Sequence, residues 1–164
     1  MTAPILVTGG TGTLGRHVVR RLRDAGHEIR VLSRHNQASG DGVEHVTGDL
    51  LEGVGIESAV DGAAMIVHCA GVPKGDDLAT RNLVRAASRA GAQHLVCISV
   101  IGVDRIPVVS GIDRMMFGYF ASKLAAERVV ADSGLPWTTL RATQFHDLSL
   151  QTAHQMAKMP VVPV

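Results

Sequence analysis

The sequence predicts an α/β fold: a doubly wound parallel sheet of about six strands with helices on both faces. Three observations lead there. Short apolar runs alternate with longer stretches of helical periodicity along the whole chain. The composition is 46% hydrophobic but only 3% aromatic, and the aliphatic residues are mostly Val, Leu, Ala and Ile. That suits parallel strands buried on both faces. Finally, a glycine-rich turn stands between the first apolar run and the first amphipathic stretch. At 164 residues the chain has the length of one domain with a full core.

The elements follow in order. Strands are expected at Ile5–Val7, Glu28–Leu32, Val43–Val46, Met65–His68, His94–Ser99 and Thr138–Arg141. A first helix is expected over Leu14–Ala25, with Leu14, Val18, Val19, Leu22 and Ala25 on one face and Gly26 as its stop. A second runs over Asp77–Ala90, with Leu78, Leu83, Val84 and Ala87 inside and Gly91 at its end. A third, Ala-rich helix spans Tyr119–Ala131 and stops near Gly134 and Pro136. Ile101–Phe117 breaks the rhythm and reads as a long loop, functional or disordered, holding Pro107 and Gly111. The end, "HDLSLQTAHQMAKM" followed by "PVVPV", reads as a helix and then the start of a strand. The expectation is one domain over 1–164, truncated before a small C-terminal substrate lobe.

The turn itself is "TGGTGTLG", residues 8–15. It follows a strand and opens a helix. Its glycines let backbone amides approach an anion, and the helix N-terminus favours negative charge there. In that context the pattern points to the pyrophosphate of a dinucleotide, with Gly9, Thr11, Gly12 and Gly15 in the turn. The second strand ends "VLSRHN". An NAD site places a carboxylate here for the ribose 2′-hydroxyl. Ser33 and Arg34 stand in its place, and a guanidinium suits a 2′-phosphate. NADP(H) is therefore expected over NAD(H). Arg34, Asp49, Ala70, Gly71, Ser99 and the "ATQFH" stretch all follow or end strands, so all fall at the carboxyl edge of the sheet, where such folds bind ligands.

Other features exclude functions. Net charge is +1 and the sixteen Lys and Arg are spread along the chain, so no nucleic-acid face is expected. Apolar runs are too short to cross a membrane and no secretory leader is visible. The two cysteines, Cys69 and Cys97, read as small buried thiols in a reducing, cytoplasmic setting. The eight histidines show no metal-site spacing, so no metal is expected. His68 and His94 read as structural, while His146 lies near the expected nicotinamide position. Asn82 reads as packing or capping locally. Arg20, Arg21 and Arg23 read as a solvated face. Met115, Met116, Phe117 and Phe120 flank the only tyrosine and read equally as core or as an apolar substrate pocket.

Tyr119 is that only tyrosine, and Lys123, one of three lysines, lies one helical turn on. With "TGGTGTLG", "VLSR" (31–34), "GDL" (48–50), "CAG" (69–71), "ISVIGVD" (98–104), "YFASK" (119–123) and "SGLPWTTLRATQF" (133–145), the sequence resembles the short-chain dehydrogenase/reductase superfamily, in its atypical, NmrA-like and extended members. The likeness covers nearly the whole chain and implies a Rossmann-like sheet. It implies that Gly9, Gly12, Thr13 and Leu14 surround the pyrophosphate, that Asp49 binds the adenine amino group and that Leu50 packs on the ring. Ala70 and Gly71 line the adenosine ribose by the same analogy. Lys123 holds the nicotinamide ribose, and Thr143 to Phe145 border the nicotinamide. Tyr119 is the implied acid, and Ser99 the nearest hydroxyl to polarise a carbonyl. The chemistry is coherent, since a nearby ammonium favours the phenolate. Two departures stand out: "SVI" keeps one hydroxyl where many relatives have two or three, and Ala142 replaces a common proline.

The expected function is an NADP(H)-dependent reductase of a carbonyl or quinone small molecule. The alternatives are an NADP(H)-binding redox sensor and a nucleotide-sugar epimerase or dehydratase. Relatives pair through helices, so a homodimer is the assembly that the resemblance implies.

Overall fold

A computed structural model of the chain describes residues 3–72, 75–105 and 111–143, and for 111–117 the backbone. Six strands form one sheet: β1 (Ile5–Thr8), β2 (Ile29–Ser33), β3 (Val43–Thr47), β4 (Met65–His68), β5 (His94–Val100) and β6 (Trp137–Ala142). Every pairing is parallel and the order is β3-β2-β1-β4-β5-β6. The helices are α1 (Thr13–Asp24), α2 (Ile56–Val60), α3 (Asp76–Ala90) and α4 (Gly111–Ala131). From β1 the chain builds outward through β2 and β3, then returns to place β4 on the other side of β1. The reversal opens a crevice beyond the carboxyl ends of β1 and β4.

Alternation along each strand sends side chains to two cores. Leu6, Leu32, Ile66, Leu95 and Cys97 face α2, α3 and α4, meeting Ile56, Val60, Leu83, Ala87 and Val130. Ile5, Val7, Ile29, Val31 and Val67 face the other way and meet Val18, Val19 and Leu22 of α1. Helices therefore cover both faces of a Rossmann-like sheet, as the periodicity predicts. Burying a side chain such as Leu6, Ile66 or Leu95, each 0% exposed, stabilises the fold by about 1.5–3 kcal/mol.

The strands fall within a residue or so of their expected bounds. Two helical regions differ. α2 has five residues, too few to show a period in sequence. α4 begins at Gly111, so the second part of the stretch read as a loop is helix. Pro107, the segment expected to form a C-terminal helix and strand, Phe145 and His146 lie outside the described residues, as do the side chains of Met115, Met116 and Phe117.

Candidate active site

Backbone sterics fix the glycine turn. Gly9 has φ +67, and a Cβ there would stand 2.6 Å from the Ala70 nitrogen. Gly9 thus lets the end of β1 press against the segment after β4. A Cβ on Gly15 would overlap the Gly9 carbonyl oxygen. Gly12 caps α1 and donates its N–H to Gly9 O at 2.9 Å, which closes the turn. Thr11, Gly12 and Thr13 stay exposed above the helix N-terminus. This is a cradle that side chains would fill, and it fits a pyrophosphate.

The neighbouring strand ends build the rest. Ser33 closes β2, buried, and its hydroxyl accepts the His35 N–H at 3.2 Å. Arg34 beside it is exposed. After β3, Asp49 Oδ1 accepts the N–H groups of Leu51 (2.7 Å) and Glu52 (3.3 Å), folding that loop over itself. Asn82 of α3 anchors the same loop by donating Nδ2 to the carbonyls of Leu50 (2.8 Å) and Leu51 (3.3 Å). Its role is thus to hold the Leu50–Leu51 wall across the chain, beyond the local packing expected of it.

Ser99, Tyr119 and Lys123 close the other end. Alternation puts Ser99 on the same face of β5 as Leu95 and Cys97, the face that α4 covers. Its hydroxyl is buried without a well-aligned hydrogen bond and lies towards Glu127. Tyr119 is 43% exposed, its ring edge-on to Phe120 at 5.8 Å. Lys123, one turn on, is only 6% exposed. Its Nζ lies 2.9 Å from Asp76 Oδ2 and 3.4 Å from the Ile98 carbonyl.

All these positions line one cleft of about 770 Å³: Gly9, Thr11, Gly12, Thr13, Leu14, Gly15, Ser33, Arg34, Asp49, Leu50, Ala70, Gly71, Ser99, Tyr119, Lys123 and Thr143. The fold thus brings together every candidate residue that it describes. Three participants escaped sequence reasoning. Asp76 pairs with Lys123 across 47 positions. Glu127, one turn beyond Lys123, takes a two-pronged hydrogen bond from Arg141 (3.0 and 2.8 Å), which also reaches Asp104 at 3.0 Å. Thr80 bonds the His68 ring at 3.2 Å.

Electrostatics sort the titratable groups. Burial would raise the Glu127 carboxyl, but the bonds from Arg141, with the Ser99 hydroxyl lying towards it, outweigh burial and hold it below its ordinary value. Burial pushes the Cys69 and Cys97 thiols up to about 11, against the opposite pull of Lys123, so neither is a ready nucleophile. His68 is 1% exposed and is lowered to about 4, by burial first and then by the charge of Lys123, with Asp76 opposing. It is neutral at physiological pH. Thr80 Oγ1 donates to the Asp76 carbonyl at 2.7 Å, so its hydrogen is engaged and His68 Nε2–H donates to it. His68 Nδ1 then accepts from Thr8 Oγ1 at 2.7 Å. His94 pairs with Thr138 at 2.9 Å, so threonine hydroxyls hold each of the two histidines that read as structural.

Comparison with known proteins agrees with this geometry. The family model described as NAD(P)H-binding matches residues 9–159. The chain belongs to that NAD(P)H-binding family. Within it the chain sits among the atypical short-chain dehydrogenase/reductases, an oxidoreductase group, and a nicotinamide cofactor is its ligand class. One relative is the (4-alkanoyl-5-oxo-2,5-dihydrofuran-3-yl)methyl phosphate reductase of Streptomyces griseus, 33% identical over 161 residues, covering 96% of this chain and 54% of the relative. Among solved structures, MoeE5 in complex with UDP-glucuronic acid and NAD is 27% identical with a TM-score of 0.70, over 84% of this chain and 54% of that one. The NADPH-dependent quinone oxidoreductase QOR2 of Escherichia coli, complexed with NADPH, shares the fold at a TM-score of 0.77 and 24% identity, over 93% of this chain and 53% of that one. The chain therefore spans about half the length of these three proteins. Among the described residues no helix is long and apolar enough to cross a membrane.

Proposed function

We propose that the protein is an NADP(H)-dependent oxidoreductase that reduces a carbonyl or quinone small molecule, with Tyr119 as proton donor. The carrying observation is that the glycine turn, Arg34, Ser99, Tyr119 and Lys123 all line one cleft. The choice of NADP(H) draws on the exposed Arg34 guanidinium at the end of β2, where Ser33, Arg34 and His35 offer no carboxylate to repel a 2′-phosphate.

The bound nicotinamide supplies the hydride. The chain's own residues do the rest. The turn from Gly9 to Gly15 would bind the pyrophosphate, the loop at Asp49 and Leu50 would take the adenine, and Ala70 and Gly71 would line its ribose. Thr143 borders the nicotinamide side. The Tyr119 hydroxyl would be the group that gives a proton to the carbonyl oxygen. The buried Lys123 ammonium would stabilise the resulting phenolate and would hold the nicotinamide ribose. Ser99 takes the role of the hydroxyl that orients the carbonyl.

The test is steady-state oxidation of NADPH over a panel of carbonyls and quinones. Tyr119→Phe is expected to lower kcat by about 100-fold or more while leaving NADPH affinity in place. Turnover unchanged in Tyr119→Phe, or none by the unsubstituted protein across the panel, rejects the reading. A second reading, an NADP(H)-binding redox sensor, draws on Ser99, whose hydroxyl lies towards Glu127. It predicts unequal affinity for NADP⁺ and NADPH without turnover.

A further inference from the structure

We propose that Asp76 is a positioning residue of this site: the buried counter-ion that fixes Lys123 and keeps it charged. The proposal rests on the reductase reading above. Lys123 and Asp76 are 6% and 1% exposed, and their charged atoms lie 2.9 Å apart. An ammonium so deeply buried is unfavourable unless an anion faces it. Among the described residues, Asp76 Oδ2 has no partner besides Lys123. Oδ1 is held separately, accepting the Val72 N–H at 3.0 Å. The carboxylate is therefore also held by a contact independent of Lys123.

The ammonium has three hydrogens. Its nitrogen donates to the Ile98 carbonyl at 3.4 Å, faces Asp76 Oδ2 at 2.9 Å as an ion pair, and lines the cleft. The anchor reaches further. Thr80 donates to the Asp76 carbonyl, the His68 ring joins Thr80 to Thr8, and Thr8 is the last residue before Gly9. A buried polar chain thus ties the lysine to the strand that ends in the glycine turn. The titratable groups around Lys123 are Asp76 on α3, His68 and Cys69 at the end of β4, Cys97 on β5, and Tyr119 and Glu127 on its own helix. Among the described residues, Asp76 is the one that forms an ion pair with it.

The chain has only three lysines, Lys74, Lys123 and Lys158, so the Lys123 ¹³Cε resonance can be assigned with Lys123→Arg and titrated directly. In Asp76→Asn the midpoint is expected to fall by about one to three pH units relative to the unsubstituted chain, because the buried ammonium loses its counter-charge. The alkaline limb of quinone reduction by NADPH should fall with it, while KM for NADPH stays within about threefold. Asp76→Glu, which keeps the charge, should restore the limb. An unmoved Lys123 midpoint in Asp76→Asn overturns the proposal. So does a midpoint that moves while the limb does not, since Asp76 is then a structural counter-ion only. If the unsubstituted protein reduces no quinone, the reductase reading fails and the Lys123 titration alone decides the role of Asp76. If Asp76→Asn does not fold, the ¹⁵Nζ spectrum of the unsubstituted chain decides: a slowly exchanging Lys123 signal near neutral pH supports the proposal, and a fast one overturns it.

Discussion

Protonating His68 should destabilise this domain from the inside. The ring is fully buried between Thr8 and Thr80, and its pKa is lowered from 6.5 to about 4. Below 6.5 the unfolded chain binds a proton that the folded ring refuses until about 4. Stability from this group is therefore fully present above 6.5 and is lost as pH falls toward 4. The gap of about 2.5 units, at 1.36 kcal/mol each, amounts to about 3 kcal/mol, of which about 2 kcal/mol goes between pH 6.5 and about 5. That is a large part of a typical domain's 5–15 kcal/mol. The assay is urea unfolding followed by circular dichroism at several pH values in that window, on the unsubstituted chain and on His68→Gln. The variant loses a buried hydrogen bond, so it should be weaker at neutral pH by about 1–3 kcal/mol. Its stability should nevertheless fall less with acid, by about 2 kcal/mol over the window. Equal acid losses in the two proteins would refute the reasoning.

Two further substitutions test the cradle. Gly15→Ala forces a Cβ into the Gly9 carbonyl and should destabilise the domain by about 1–3 kcal/mol and weaken nucleotide binding, as read by thermal unfolding with and without NADPH. Asn82→Ala frees the Leu50–Leu51 loop from α3. It should weaken NADPH binding by about three- to tenfold in a fluorescence titration while leaving kcat nearly unchanged.

Much of this was legible in the residues because the signals are local. Val18, Val19 and Leu22 recur at helical spacing, and the strands are apolar runs bounded by turn residues, so the sheet and its helices follow from short windows. Gly9, Gly12 and Gly15 declare the turn in the same way. Contacts made across the sheet were not legible. Asp76 meets Lys123 only because β4 and β5 lie side by side and bring α3 against α4, and a window of residues around "GDD" carries no trace of that. Asn82 likewise bonds a loop 31 or 32 positions away. The start of α4 was hidden by Gly111 and by nearby Pro107, which read as loop punctuation. Asp49 shows a mixed outcome: its place at the cleft was readable, but its work in folding its own loop was not.

The most direct test of the central claim is a calorimetric titration of the protein with NADPH and, in parallel, with NADH, repeated on Arg34→Ala. The account predicts that NADPH binds more tightly than NADH, and that Arg34→Ala weakens NADPH by about tenfold or more, the worth of a charge-assisted bond, while sparing NADH. Equal affinity for the two cofactors, unchanged by Arg34→Ala, would contradict the assignment of NADP(H) to this cleft. Absence of binding to the folded protein would contradict the reading of the site as a whole.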